Sequence, residues 1–293
     1  MYLLLKLVSM LPLRFLQVFG ALVGEIVFKC SPTLKAHTRS NLEQAGYGNA
    51  GLFYRVGRNT GRQSMESIWV WYRPAEEVVR RVEVRPEVLE LIGGAMRSKR
   101  PVVFMTPHVG CFEVLPVWLA QTFYKETGRK IAILYRPPKK DILRRIVGEA
   151  RQAPGIEPCP TTLGGVRRII RALKAGHTFG ALPDQVPSKG EGVWVDFFGR
   201  PAYTATLPVK VAKQFGAIKI FAWGVRLNHG WRLEARLWDD PLDGTAEENC
   251  RAMNRQMEDI IRSMPEQYEW SYNRYKVPAG AKPPKAKAKA KKP

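Results

Sequence analysis

The fold of this chain is decided by the stretch Val102-Val103-Phe104-Met105-Thr106-Pro107-His108-Val109-Gly110-Cys111-Phe112-Glu113. Its four leading apolar residues predict a strand that is buried on both faces of a sheet. Pro107 and Gly110 predict a loop after the strand, and Glu113 suits the first turn of a helix because a carboxylate there complements the helix dipole. The stretch is therefore a strand, a loop and a helix in succession, the repeating unit of an α/β sheet.

The same alternation continues on both sides of this stretch. Apolar and alternating patterns predict further strands at 82–84, 131–135, 179–182, 218–225 and 231–237, the last as an antiparallel partner. Helical patterns cover 33–72 with breaks near 46–51, then 87–99, 113–122, 140–151, 163–175, 207–215 and 245–264. Together these elements predict an α/β fold with a mixed, mostly parallel central sheet flanked by helices.

The charge of the chain is strongly unbalanced. Lys and Arg number 47 against 26 Asp and Glu, which gives a formal net charge of +21. Residues 277–293 are rich in lysine and cannot build a core, so they are predicted to form a disordered basic tail. The rest of the chain is still basic and is expected to meet an anionic partner, which could be nucleic acid, acidic lipid or acidic protein.

The cysteines indicate no covalent or metal framework. Cys30, Cys111, Cys159 and Cys250 share no C-x-x-C spacing, which disfavours a disulfide network and a zinc site. Apart from Cys111, no histidine or cysteine lies near His108 in the sequence, so neither a metal nor another cofactor is expected.

Residues 1–28 are strongly apolar, but Lys6, Arg14 and Glu25 interrupt them and Pro12 lies near the middle. The longest uncharged run, residues 15–24, is only about half the length needed to span a bilayer. A signal peptide is disfavoured because Arg14 interrupts the apolar region, and a soluble amphipathic helix is the simpler alternative. We predict a membrane-associated helix, and the sequence leaves open whether it spans the membrane or lies on it.

His108 and Glu113 are the first candidates for chemistry. Five residues along one helix correspond to a rotation of about 500°, so two side chains at this spacing would point about 140° apart. The pair can meet only if His108 lies in the loop and Glu113 in the first turn of the next helix. Glu113 would then orient His108 as a general base. The alternative is a loop histidine beside an unrelated helix-capping glutamate.

A resemblance favours the catalytic interpretation. The stretch His108–Glu113 resembles the H-x(4)-D/E motif of the lysophospholipid acyltransferase superfamily. Further matches, in the order of the family and within residues 100–276, narrow the resemblance to the lipid A biosynthesis acyltransferases. These matches are Tyr135-Arg136-Pro137, Leu182-Pro183-Asp184-Gln185, Asp196-Phe197-Phe198-Gly199 and Pro265-Glu266-Gln267-Tyr268-Glu269-Trp270-Ser271-Tyr272. Cys111-Phe112 and Val195-Asp196 depart from the family pattern at positions that bear on substrate shape.

The resemblance implies direct transfer of an acyl group from an acyl carrier protein thioester to a hydroxyl, with His108 as the base and Glu113 as its orienting carboxylate. Backbone N–H groups near Gly110 are candidate donors to the oxyanion. Arg136 would bind a phosphate or the oxyanion, and Asp184 would position the acceptor or shape the loop. Further expected substrate contacts are Gln185, Phe197, Phe198 and Gly199. An acyl-enzyme on Cys111 is a remote rival.

The resemblance also implies partners and a location. The expected partners are acyl carrier protein, a phosphorylated Kdo-lipid A precursor and the anionic inner membrane, with the catalytic domain (29–276) on the cytoplasmic face of the bacterial inner membrane. A glycerophospholipid or another glycolipid is the alternative acceptor, although Gln185 after Asp184 favours the lipid A branch. Nucleic acid is not expected as a partner, because the chain has no helix-turn-helix, zinc-finger or RNA-recognition pattern. A basic nucleic-acid-binding protein is the remote alternative.

Overall fold

The computed structural model describes residues 2–48, 50–135 and 153–284. The first part is helical and consists of α1 (Tyr2–Ser9), α2 (Leu13–Cys30), α3 (Pro32–Gln44), α4 (Ala50–Tyr72) and α5 (Ala75–Val79). The next part alternates: β1 (Val82–Val84), α6 (Pro86–Arg97), β2 (Val102–Met105), α7 (Val114–Thr127), β3 (Ile131–Tyr135), β4 (Ile156–Pro160), α8 (Leu163–Lys174) and β5 (Thr178–Ala181). The last part contains β6 (Gly192–Phe197), β7 (Arg200–Ala205), α9 (Leu207–Gln214), β8 (Ile218–Arg226), β9 (Trp231–Leu237), α10 (Ala246–Ser263) and a 3₁₀ turn (Pro265–Gln267).

The central sheet confirms the predicted α/β class. Its seven strands follow the order β1-β9-β8-β2-β5-β3-β4, and every neighbouring pair is parallel except β8 and β9. Strand β2 lies in the middle, and all four of its residues are buried. Val103 and Met105 pack into the core on one face, whereas Val102 and Phe104 pack into the core on the other. This split follows from the alternation of side chains along a strand.

Three strands were not predicted from the sequence. Strand β4 contains Pro158 and Pro160, which cannot donate backbone hydrogen bonds, and it lies at an edge of the sheet where this is tolerated. Strands β6 and β7 form a separate antiparallel hairpin with a two-residue turn. The predicted helix 140–151 lies outside the described residues.

Glycines allow helices α2 and α4 to pack with their backbones in contact. A Cβ atom on Gly61 would lie 1.9 Å from the carbonyl oxygen of Gly20, and one on Gly24 would lie 2.3 Å from the carbonyl oxygen of Gly57. Each helix therefore supplies two glycines spaced four residues apart, on the face that meets the other helix. No larger residue fits at this crossing without displacing backbone.

The apolar N-terminus is two helices and not the single helix predicted over residues 1–28. Helices α1 and α2 meet at an angle of 114° around Pro12. No single helix in the described part of the chain is long and apolar enough to cross a membrane, and only this bent pair meets the length and composition criteria when taken together. Large apolar side chains on both helices are exposed, among them Leu3, Leu7, Phe15, Leu22 and Ile26.

Candidate active site

The register of the sheet brings His108 and Asp184 together. Strand β2 pairs with β5 in parallel, with Met105 opposite Ala181. His108 lies three residues after Met105, and Asp184 lies three residues after Ala181, so both side chains leave the same carboxyl edge of the sheet at the same level. Ligand sites of parallel α/β sheets lie at this edge.

Asp184 holds His108 by two hydrogen bonds. The imidazole Nδ1 lies 2.8 Å from Asp184 Oδ1, and the backbone N–H of His108 donates to Asp184 Oδ2 at 2.9 Å. Both residues are buried, with exposed fractions of 9% for His108 and 2% for Asp184. Because each carboxylate oxygen takes one donor from the same residue, the ring and its backbone are fixed together.

The second ring nitrogen of His108 faces an amide. Gln185 Nε2 lies 3.1 Å from His108 Nε2. A carboxylate can only accept a hydrogen bond, so Asp184 selects the tautomer with hydrogen on Nδ1, and the Gln185 amide then donates to the lone pair on Nε2. With hydrogen on Nδ1, the Nε2 atom is unprotonated and can accept a proton from a substrate.

Charge and burial oppose each other at this pair. Burial disfavours the imidazolium, but the charge and the hydrogen bond of Asp184 outweigh it, so the pKa of His108 is raised above its usual value of 6.5. Burial likewise disfavours the carboxylate of Asp184, yet the charge and hydrogen bonds of His108 hold the pKa of Asp184 below its usual value. The site therefore stabilises the imidazolium that forms when His108 takes a proton.

Glu113 lies where the sequence predicted it, but another carboxylate bonds to the His108 ring. It lies at the junction of the loop and helix α7, as the spacing requires, and it is buried. The carboxylate at Nδ1 is nevertheless that of Asp184, and the charge of Glu113 raises the pKa of His108 less than the charges of Asp184 and Glu269 do. The predicted orienting role of Glu113 stays a prediction, whereas the carboxylate that bonds to Nδ1 in the structure is that of Asp184.

Gly110 shapes the loop but does not offer its own N–H to a substrate. That N–H donates to the carbonyl oxygen of Gln267 at 2.9 Å, and the following N–H of Cys111 donates to the carbonyl oxygen of Gly224 at 3.0 Å. Gly110 has a positive φ of 57°, and a Cβ atom there would lie 2.0 Å from the Gly224 oxygen. These two N–H groups are bonded within the protein, the predicted oxyanion role of the loop stays a prediction, and Cys111 itself is fully buried.

The residues predicted to line the substrate pocket lie at the end of strand β6 and in the turn that follows it. Phe198 and Gly199, with φ values of 47° and 75°, are the two turn residues of the β6–β7 hairpin, for which positive φ is required. Glu258 accepts a hydrogen bond from the N–H of Phe198 at 2.8 Å. Phe197 and Phe198 are buried in the core, where Phe198 packs against Trp270. Both side chains belong to the core, and their predicted role as pocket lining stays a prediction.

Arg136 lies outside the described residues, and its predicted role in substrate binding stays a prediction. The neighbouring Tyr135 ends strand β3. Among the described residues, no group of three or more histidine, cysteine, aspartate or glutamate side chains is placed to hold a metal ion.

The C-terminal segment after the 3₁₀ turn contributes residues that the sequence did not assign. The backbone N–H of Glu269 donates to the carbonyl oxygen of His108 at 3.1 Å, and Val109 forms an antiparallel bridge with Tyr268. Burial raises the pKa of Glu269, while the charge of His108 lowers it. The only sequence signal for these contacts was the family resemblance of residues 265–272.

An apolar groove begins beside the histidine. It runs between helix α7 and strands β2, β3 and β5, and Glu113 and Thr106 are the polar residues in its wall. Its apolar lining includes Phe104, Phe112, Leu119, Ile133 and Leu182. The ring of Phe112 also contacts His108 edge-on, with 4.6 Å between ring centroids. The arrangement joins a proton acceptor to a place for an apolar chain.

Comparisons with known proteins identify the family of this chain. A sequence profile described as bacterial lipid A biosynthesis acyltransferase matches residues 1–277. The lipid A biosynthesis myristoyltransferase of Escherichia coli (strain K12) is 26% identical over 207 residues, which are 67% of this chain and 61% of that protein. The lipid A biosynthesis acyltransferase 2 of Shigella flexneri is 25% identical over 188 residues, 62% of this chain and 57% of that protein.

A third relative is an acyltransferase that is named for a different acceptor. The phosphatidylinositol mannoside acyltransferase of Mycolicibacterium smegmatis is 28% identical over 163 residues, 54% of this chain and 52% of that protein. The chain thus covers 52% to 61% of the length of these three relatives. Since the family profile extends over nearly all of the sequence, the chain belongs to the bacterial lipid A biosynthesis acyltransferase family.

Proposed function

We propose that this protein transfers a fatty acyl group from acyl carrier protein to a hydroxyl of a phosphorylated Kdo-lipid A precursor. The observation that carries the proposal is the buried His108–Asp184 pair, whose histidine contacts Phe112 in the wall of an apolar groove. Membership of the family supports acyl transfer as the reaction, and the names of the relatives, lipid A biosynthesis acyltransferases, support a lipid A precursor as the acceptor.

The first step is proton removal from the acceptor. His108 Nε2 takes the proton of the acceptor hydroxyl as its oxygen attacks the thioester carbonyl carbon. Asp184 stabilises the imidazolium from the other side of the ring, at Nδ1. In the free protein the Gln185 amide donates a hydrogen bond to Nε2. The acceptor hydroxyl displaces this amide from Nε2, and the amide then donates to the hydroxyl or to the oxyanion.

The second step is departure of the thiol. The tetrahedral intermediate collapses, the carbon–sulfur bond breaks, and the sulfur takes the proton from His108. Because a thiol has a pKa near 8.5, it leaves without a strong acid. The ester and the thiol are the products, and no acyl group is placed on the protein.

The apolar groove receives the acyl chain in this proposal. Its wall is built from the sheet and helix α7, so its depth is set by the fold. Glu113 lies in the same wall, where its charge is near the reacting centre. A catalytic contribution of Glu113 stays a prediction, separate from the orienting role taken by Asp184.

The proposed location is the cytoplasmic face of the bacterial inner membrane. The exposed apolar residues on α1 and α2 suit a lipid interface, and the net charge of +21 favours both an anionic membrane and an acidic carrier protein. Lysine and arginine near a bilayer can extend their charged groups to the lipid headgroups.

The test uses purified protein, acyl carrier protein with a labelled acyl thioester, and the Kdo-lipid A precursor. We expect labelled ester from the wild type and none from His108→Ala. His229→Ala is the matched control, because His229 also pairs with a carboxylate, that of Glu83 at 2.8 Å, but on the exposed surface. Full activity of His108→Ala would refute the proposal.

A glycolipid other than lipid A is the second candidate acceptor. It is favoured by the resemblance to the phosphatidylinositol mannoside acyltransferase of Mycolicibacterium smegmatis. Offering both acceptors in the same assay decides between them, because the chemistry at His108 is the same. Product formed only with the mannoside would replace the lipid A proposal.

A further inference from the structure

A second cavity, of about 430 Å³, lies away from the apolar groove and is lined by arginine. It opens between helices α2 and α4, the end of strand β8 and the 3₁₀ turn. Five arginines line it: Arg14, Arg55, Arg58, Arg62 and Arg226. Glu266 is the only acidic residue in its lining.

Carboxylates neutralise three of the five arginines. Arg55 pairs with Glu266 at 2.9 Å, Arg58 with Glu25 at 2.6 Å, and Arg226 with the buried Glu66 at 2.7 Å. Bidentate contacts with a carboxylate or a phosphate are the usual use of a guanidinium group.

Arg14 and Arg62 are the remaining two arginines. Neither makes an ion pair with a carboxylate in the described part of the chain. Arg62 donates only a long hydrogen bond, of 3.4 Å, to the side chain of Asn59. Burial and the charges of Arg226 and Arg58 lower the pKa of Arg62, and the charges of Glu66 and Glu266 offset only part of this. The cavity therefore concentrates positive charge that an anion would neutralise.

The cavity borders an apolar surface. Val18 lines the cavity and is exposed, and it continues into a stripe of exposed apolar residues on helix α2. The spacing of three and four residues places this stripe on one side of the helix: Phe15, Val18, Phe19, Leu22 and Ile26. A cationic pocket that adjoins such a stripe matches a molecule with an anionic head and apolar tails.

We propose that this arginine cavity binds the phosphate headgroup of an anionic membrane lipid, with the acyl chains of that lipid lying along the apolar stripe of α2. The lipid at this site is bound and does not react. One lining residue connects the cavity to the loop that carries His108, because Arg226 Nη2 donates to the carbonyl oxygen of Gly110 at 3.3 Å.

The experiment measures binding of the full chain to vesicles by co-sedimentation. One set of vesicles is phosphatidylcholine alone, and the other also contains phosphatidic acid. The double variant Arg14→Gln/Arg62→Gln removes the two arginines that have no ion pair among the described residues. Arg167→Gln/Arg171→Gln on helix α8 removes the same charge elsewhere and is the matched control. We expect the cavity variant to lose about 30-fold in affinity for phosphatidic acid vesicles, since two cationic contacts with a lipid surface are removed.

Two outcomes would overturn the proposal. Equal losses in the cavity and control variants would mean that binding depends on total charge and not on this cavity. Inorganic phosphate that perturbs the arginine side-chain NMR signals of the wild type, without any preference of the protein for phosphatidic acid vesicles, would identify a site for free phosphate. Arg14→Gln alone provides a second variant, because Arg14 is exposed and its loss does not disturb packing. The assay requires no turnover, so it stands independently of the acyltransferase proposal.

Discussion

Asp184→Asn is the substitution that tests the site most directly. Asp184 accepts two hydrogen bonds from His108, one from the ring and one from the backbone N–H. Asparagine has the same shape but only one acceptor oxygen, so its NH₂ group must face either the backbone N–H or Nδ1. If it faces Nδ1, the ring adopts the other tautomer and Nε2 carries a hydrogen, which removes the base.

The magnitude follows from the separation of the charges. The Nδ1 and Oδ1 atoms are 2.8 Å apart. The charge centres are about 4 Å apart, which corresponds to about 4 kcal/mol at an effective dielectric constant of about 20. If about half of the imidazolium charge has developed in the transition state, about 2 kcal/mol is lost, or about 30-fold in rate. Loss of the correct tautomer adds to this, so we expect kcat to fall by about 100-fold or more.

The pH dependence should change as well. In the wild type, Asp184 raises the pKa of His108, so activity that needs neutral His108 is lost as the pH falls through this raised value. Without the carboxylate, burial is no longer outweighed and the pKa of His108 falls. The residual activity of Asp184→Asn should therefore persist to lower pH than that of the wild type.

Two measurements check these expectations. Single-turnover acyl transfer over a range of pH gives the rate and its acidic limb. Nitrogen-15 NMR of the histidine side chains gives the tautomer and pKa of His108 without any substrate, and the chain has only four histidines to assign. A folded Asp184→Asn variant with kcat within threefold of the wild type and an unchanged His108 pKa would refute the pairing. Glu113→Gln is the control for carboxylate loss nearby, and it should leave the tautomer of His108 unchanged.

Three further predictions follow from single contacts. Gly61→Val places a side chain against the backbone of Gly20, and we expect it to lower the free energy of unfolding by about 3 kcal/mol or more. Urea denaturation measures this change, and Gly94→Val, at an exposed helical glycine, is the control for helix propensity. Gly110→Ala puts a Cβ atom at a position that has a positive φ and lies 2.0 Å from a carbonyl oxygen. We expect kcat to fall at least tenfold while KM for the acyl donor changes little, and an unchanged kcat would contradict the loop geometry. For stability, the pKa of Asp184 is lowered, so its stabilising contribution is complete above about pH 4 and is lost as the pH falls below that value. The raised pKa of His108 acts at higher pH, so the test lies below about pH 4, where the stability difference between the wild type and Asp184→Asn in urea titrations should shrink. A difference that stays constant in that range would contradict the expectation.

Much of the fold was readable because its signals are local. The apolar run of β2 and the strand–loop–helix pattern after it depend on neighbouring residues, and both occur in the structure. Strand β4 was missed because its two prolines are strand-breaking signals except at a sheet edge, and the sequence does not show which strand is at the edge. The α2–α4 contact was missed because its glycines become significant only when the two helices are paired.

From the sequence alone, the position of the proposed base could be predicted: His108, in a loop at the carboxyl end of a buried strand. The sequence did not determine which carboxylate serves that base. Glu113 is five residues away and was the natural candidate, whereas Asp184 is 76 residues away and comes into contact only because β5 pairs with β2 in the observed register. Strand order and register arise from packing over the whole chain, so Asp184 could be identified as the partner of His108 only from the three-dimensional structure.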